Sequence, residues 1–547
     1  MGVYDSSLYA YYGDVDITAL SDSAVIDLQN DDISAYGNLN VESDGTLTLG
    51  NVETGGDTIY AGSGVYLLSD NGNVDVYNST IDGGFDGTVD DTTIENGSTL
   101  TSDTDVNIKA YGATVSIHAP NGSVYVDNTT VNPGGSINIS DSLITAGANG
   151  GTGGVDIYSG GYFYVGGYSD RLYYDDIEGN NINISGSTIT ANNGGVSILN
   201  DAYISTLDSV GFNVENSTVV EYGDITISAS QITANNGGVD ILTASSDLSH
   251  VYVDEGSSLS VGDISISGST IKATGAGRNV TISAGGSLAD TSASETLALV
   301  GDTVMAAGGT VTLTAQGDVD VDQDVSDTTA LTAGSGDVDV TSHNGSMDVE
   351  NSTVLAGGSV ALSAAGSVTL NNGSVTGIKN VSVNAGSGIT INGVAITAND
   401  PDYGTYLTST AGQTTIQNGS SVAGNLTVNS PDGILIDGSR GGAFSGSTIS
   451  LTAGGGDANG GPAISVQNAD LSGYATVNMA AHTVNLLDVA FGGSSAVNLH
   501  SYFGALASNP NTGQVSVPGY VNFINGVTYG GDPAQNHIGS GITISGL

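Results

Sequence analysis

The chain has 547 residues, and its 57 acidic and 6 basic side chains give a formal net charge of −51. With so few cations it cannot neutralise phosphates, so nucleic acid is excluded as a partner, and anionic lipid surfaces would repel it. It holds 83 Gly but only 8 Pro, which excludes collagen, and no Cys, which excludes disulfide staples; a 38% hydrophobic content in short alternating runs excludes a disordered acidic tail.

The opening residues Met1-Gly-Val-Tyr-Asp5 have neither the basic start nor the apolar run of a signal peptide, and no window approaches the ~18 apolar residues of a membrane helix. The expectation is a mature or recombinant segment of a secreted protein, with no membrane insertion. Asp14 and Asp16 then open a pattern of acids at alternate positions, repeated with Asp75 beside Asn73. Ser142-Leu-Ile-Thr-Ala146 is an early copy of a short repeating unit.

That unit is clearest in Ser187-Thr-Ile-Thr-Ala-Asn-Asn-Gly-Gly-Val-Ser-Ile198, which returns as Ser230-Gln-Ile-Thr-Ala-Asn-Asn-Gly-Gly-Val-Asp-Ile241. Looser copies begin at Ser269, Asp302 and Ser352. Each copy alternates apolar and small polar residues, which predicts a strand with one buried face, and Gly or Asn then breaks the run at a corner. Val311-Thr-Leu-Thr-Ala315, Val360-Ala-Leu-Ser-Ala364 and Val381-Ser-Val-Asn-Ala385 follow the same rule. A sandwich or barrel does not reuse one strand–corner unit this often, whereas a solenoid does. Reading two units between the exact copies predicts roughly 20 residues per coil, hence roughly 25 coils. Stacked at about 4.8 Å they would make a rod about 120 Å long. The fold expected is all-β: a long right-handed parallel β-helix over residues 1–480 with loop insertions. Its core would be aliphatic, with the 25 Tyr largely outside.

Two stretches depart from the rule. Residues 160–176 carry Tyr162, Phe163, Tyr164, Tyr168, Tyr173 and Tyr174, read as an aromatic loop that could bind a partner. From residue 481 to 547 the alternation weakens, Pro510 and Pro518 enter, and three of the six His appear; this is read as a C-terminal cap or assembly region.

The segment Val349-Glu-Asn-Ser-Thr-Val-Leu-Ala-Gly-Gly-Ser-Val-Ala-Leu-Ser-Ala-Ala-Gly-Ser-Val-Thr-Leu370 resembles the filamentous haemagglutinin repeat family, and residues 264–286 and 318–340 are similar. The resemblance implies a right-handed parallel β-helix exported by a Gram-negative bacterium and used at the cell surface as an adhesin, toxin stalk or matrix fibre.

The polar side chains suggest three chemistries. Asp318, Asp320, Asp322 and Asp324, with Asp337 and Asp339, place acids on one strand face, where stacking repels them unless calcium or ordinary salt intervenes; they are candidate calcium ligands, although no cofactor is required. The pairs Asp31-Asp32, Asp90-Asp91 and Asp175-Asp176 lack the His, Lys and Arg of polysaccharide-cleaving β-helices, so no enzyme is expected. The six His are scattered without ligand spacing. The expected function is an extracellular structural rod, a surface or biofilm-matrix fibre subunit that self-associates end to end. The alternative is an adhesin or passenger domain whose loops bind glycans or host surfaces; a polysaccharide-degrading enzyme is the distant third.

Overall fold

A computed structural model describes side chains in residues 2–10, 15–19, 25–29, 31–35, 39, 41, 139–146, 154–157, 181–200, 224–243, 262–285, 295–322, 328–454, 463–501, 521–534 and 542–544, with short gaps, and the backbone of further strands between 38 and 545. Among the described residues every regular element of any length is a strand. The chain divides into two compact units, Met1–Gly317 and Asp318–Leu547.

The first unit is a β-solenoid whose coils have three faces. One face is the parallel stack Ile182–Ser185, Ile225–Ser228 and Ile264–Ser267. The second is Thr188–Ala191, Gln231–Ala234 and Thr270–Ala276. The third is Val196–Thr206, Val239–Ser245 and Val280–Ala284. Alternation decides which side chains meet: Ile182, Ile184, Ile189, Ala191, Val196 and Ile198 are buried, and the residues between them face outward. The second unit repeats the plan, for example with Val349 over Leu370 over Ile391 on one face and Val354 over Val375 over Ile396 on the next.

One expectation is corrected. The exact copies are one coil apart, not two: Ser187 bonds Ser230 at a separation of 43 residues, the next step is 39 residues and the one after it 33. Coils near the expected length do occur: Asn73 lies over Asp91 and Phe85 over Val106 in the first unit, and coils of 21 residues return in the second. The excess length has a structural destination. Tyr125–Asp127, Arg171–Tyr173, Phe212–Glu215 and Val251–Val253 stack in parallel as a lateral sheet. Thr130–Val131, Asp176–Ile177, Thr218–Val220 and Ser258–Ser260 form another beside the main stack. Insertions on successive coils satisfy their backbone by pairing with each other.

Beyond residue 481 parallel pairing continues. Thr483–Leu487 pairs in parallel with Tyr520–Asn525, and Ala496–Ser501 with Ile542–Ser545. The one departure described there is the antiparallel pair Thr528–Tyr529 with Asp532–Pro533.

Candidate functional site: the polar corners and the acid stack

Between the first and second faces the chain turns through one left-handed residue: Gly186 (φ 58), Ala229 (φ 48), Gly268 (φ 57) and Gly301 (φ 67). The residue that follows is the Ser or Asp that opens each repeat, and it points inward: Ser187, Ser230, Ser269 and Asp302 are all buried. A buried hydroxyl must be hydrogen-bonded, and here both of its capacities are used. Ser230 Oγ donates to Ser228 O (2.8 Å) and accepts the Ser187 N–H from the preceding coil (3.1 Å). Ser269 Oγ repeats this with Ser267 O (2.9 Å) and Ser230 N–H (3.1 Å). Asp302 continues the column as a carboxylate, Oδ1 accepting from Ser269 N–H (2.6 Å) and Oδ2 from Val300 N–H (2.9 Å). Asp31 does likewise for Ser6 N–H (2.7 Å) and Gln29 N–H (3.1 Å). Half of the Asp31-Asp32 pair is therefore a corner acceptor.

The other corners use the same device at their rims. Asn181 Oδ1 accepts the Asp224 N–H (2.8 Å), Asp224 Oδ1 the Asp263 N–H (3.0 Å), and Asp263 Oδ1 the Thr296 N–H (2.7 Å). Burial raises the Asp224 carboxyl above its ordinary range; the Asp263 amide opposes this and the Asp263 charge adds to it. At the Asn-Asn corner, Asn235 Nδ2 donates to Asn192 Oδ1 and Asn236 Nδ2 to Asn193 Oδ1, each at 3.0 Å. The exact repetition of Asn-Asn therefore stacks amide on amide.

The candidate calcium ligands fall into this scheme rather than around one point. Asp318 Oδ1 accepts the Ser346 N–H and Asp337 Oδ1 the Ser359 N–H, both at 2.6 Å. Asp322 is fully buried in a left-handed corner and accepts the Thr329 N–H at 3.0 Å. Asp339 lies in strand Val338–Ser342, its carboxyl raised by burial and then by Asp337. Asp324 lies outside the described residues. Among the described residues no three acids or His gather so as to hold a metal ion.

Asp320 has a different neighbour. It stands directly over Asp348 in the parallel ladder, and Glu350 is two residues along the same strand face as Asp348. Burial, then the charges of Glu350 and Asp320, push the Asp348 carboxyl up to about 6, against a smaller pull from the Val349 N–H. Asp348 Oδ1 is enclosed without a hydrogen-bond partner. Glu350 is better supplied: Asn371 Nδ2 donates to its Oε1 at 2.6 Å. Asn392 then bonds Asn371 (3.0 Å) and Asn418 bonds Asn392 (2.5 Å), forming an amide ladder.

The aromatic candidates do not form one loop. Tyr162, Phe163 and Tyr164 belong to the long strand Val155–Gly166 of the main stack, in register with Tyr203, Ile204 and Ser205. Tyr173 is in the lateral strand Arg171–Tyr173, while Tyr168 and Tyr174 lie outside the described residues. Alternation runs through Tyr162–Tyr164, a strand signal that aromatic content obscured. Sequence reasoning also missed buried rings. Tyr474 is 1% exposed, its hydroxyl pushed up by burial, and Phe491 and Tyr529 are buried near it in the chain. Tyr529 donates from its hydroxyl to Ser495 O (2.9 Å), and Ser495 Oγ to Tyr474 O (2.7 Å). His482 is buried, its Nδ1 3.3 Å from Thr483 Oγ1.

Comparison with protein-family models, curated proteins and solved structures finds no match to this chain.

Proposed function

We propose that this β-solenoid is a structural protein, an extracellular surface or matrix fibre subunit, and not an enzyme. The observation that carries this is the use made of its polar side chains. Ser, Asp and Asn at the corners, which elsewhere would be available for chemistry, are occupied in joining one coil to the next. The resemblance of residues 349–370 to exported haemagglutinin-type repeats supports the same location, as does the uniform negative charge, which keeps long molecules apart in solution.

In this reading the rods self-associate end to end, as unpaired strand edges recruit further strands. Negative-stain electron microscopy of purified protein tests this. Fibres many subunits long are expected; single particles at every concentration and salt tried would remove the fibre role.

The lateral sheets favour an adhesin as the second reading. They bring Tyr125, Arg171, Asn213 and Tyr252 into one register column, a mixture suited to neutral glycans. Replacing residues 167–179 with a short Gly-Ser linker, which spares Tyr162 to Tyr164 in the main stack and the corner residue Asn181, should abolish glycan or cell binding if this reading holds. Intact binding would rule these strands out.

A further inference from the structure

We propose that the coil of residues 404–423 is a built-in yield point, the place where the second unit opens first. In the coil before it, residues 381–398, every buried side chain is apolar. In residues 404–423 only Leu407, Ile416 and Val422 are buried and apolar; the other buried side chains are Thr405, Ser409, Thr414 and Ser420. Two of these hydroxyls are bonded and two are not. Ser409 Oγ donates to Ser430 Oγ of the next coil (3.0 Å), and Ser420 Oγ to Gln417 O (2.6 Å). Thr405 and Thr414 are 0% exposed, and neither Oγ1 has a hydrogen-bond partner within the chain. Asp348 and Asn351 also enclose one unbonded atom each, but both side chains are half-buried, with solvent within reach.

Register explains the isolation of the two threonines. Thr405 stands between Val381 and Leu426, and Thr414 between Ile389 and Ile434, so each is stacked between aliphatic residues. A hydroxyl buried without a partner has given up water and gained no bond in exchange, so it costs more than a methyl group of the same size. Both costs fall on one coil, and only while that coil is closed. Local opening begins where the closed state is least favoured. Opening strand Gly404–Ser409 would free the edges of Val381–Ala385 and Asn425–Ser430, which pair with it from either side. Tension along the stack would be released there before it reached the apolar coil. The inference concerns the second unit alone and does not depend on the fibre reading.

Hydrogen exchange of the full chain, read by peptide mass spectrometry, tests this. Amides of Gly404–Ser409 and Thr414–Gln417 should exchange about tenfold faster than those of Val381–Ala385 and Ile389–Ala398, the scale set by an unbonded buried hydroxyl. Thr405→Val and Thr414→Val keep the shape and remove the hydroxyl. Each should slow exchange in this coil by about tenfold and leave the apolar coil before it unchanged. Ser430→Ala deletes a hydroxyl that is bonded to the same coil, through Ser409 Oγ and the Thr414 N–H, and should act in the opposite direction. Equal exchange in the two wild-type coils overturns the proposal. So do valine variants that exchange as fast as wild type or faster, since the hydroxyls would then be held by water inside the solenoid. A valine variant that fails to fold overturns it too, because removing an unbonded hydroxyl cannot unfold the coil.

Discussion

The coils of residues 181–315 and those of residues 463–529 meet the same corner with different chemistry. Both turn through a left-handed residue: Gly186, Ala229 and Gly268 in the first group, Asn468, Asp488 and Gly526 in the second. In the first group a buried Ser or Asp follows and bonds the neighbouring coil; in the second the residue is Ala469, Val489 or Val527, with no polar atom on its side chain. Two positions further on, Ile189, Ile232 and Ile271 give way to Leu471, Phe491 and Tyr529, and Tyr474 is buried nearby. A solenoid corner can thus be closed by hydrogen bonds or by apolar bulk, provided the backbone still pairs. Thr270 N–H to Ser230 O in the first group has its counterpart in Thr528 N–H to Val489 O in the second, both near 2.9 Å.

Substitutions that remove one solution without touching the other sharpen this contrast. The largest effect is expected from Tyr474→Ala, which empties a fully buried ring site and should cost about 3–5 kcal/mol. Urea unfolding followed by a probe near residue 474 would report it; a loss under 1 kcal/mol would mean the rings do not close these coils. Ser230→Ala should cost about 1–3 kcal/mol, because the Ser187 N–H loses its acceptor in a buried site. An equal loss from Val489→Thr, which adds a hydroxyl where none is used, would blur the distinction between the corners. The smallest effect has the opposite sign. Ala229 sits at φ 48 where its neighbours in the column are Gly, so Ala229→Gly should stabilise the first unit by up to about 1 kcal/mol, read as a rise in its melting temperature.

Much of this was legible in the sequence. Alternation in Ile225–Ser228 or Val311–Ala315 marks both the strand and its buried face, because a period of two has only one structural meaning. Coil length was not legible where insertions leave the stack, because pairing partners are set by three-dimensional register rather than by spacing along the chain. The copies at Ser187 and Ser230 look like two units apart until the strands Phe212–Glu215 and Thr218–Val220 are seen to leave the main stack. The acids misled for a related reason. Asp318 and Asp337 alternate with apolar residues just as surface carboxylates do, and only the stacked coil shows that each accepts a backbone N–H. Tyr474 carries no local signal of burial; Gly446, its partner in the adjoining strand and without a side chain, is what leaves room for the ring.

The claim on which the functional reading rests is that corner side chains join coil to coil. Amide hydrogen exchange at Ser187, Ser230 and Ser269 tests it most directly, since each amide donates to the side chain of the next coil's corner residue. Protection equal to that of the flanking strands Thr188–Ala191 and Gln231–Ala234 is the predicted result. Fast exchange at these three amides within protected strands would contradict it and return the corner Ser and Asp residues to the pool of groups available for another task.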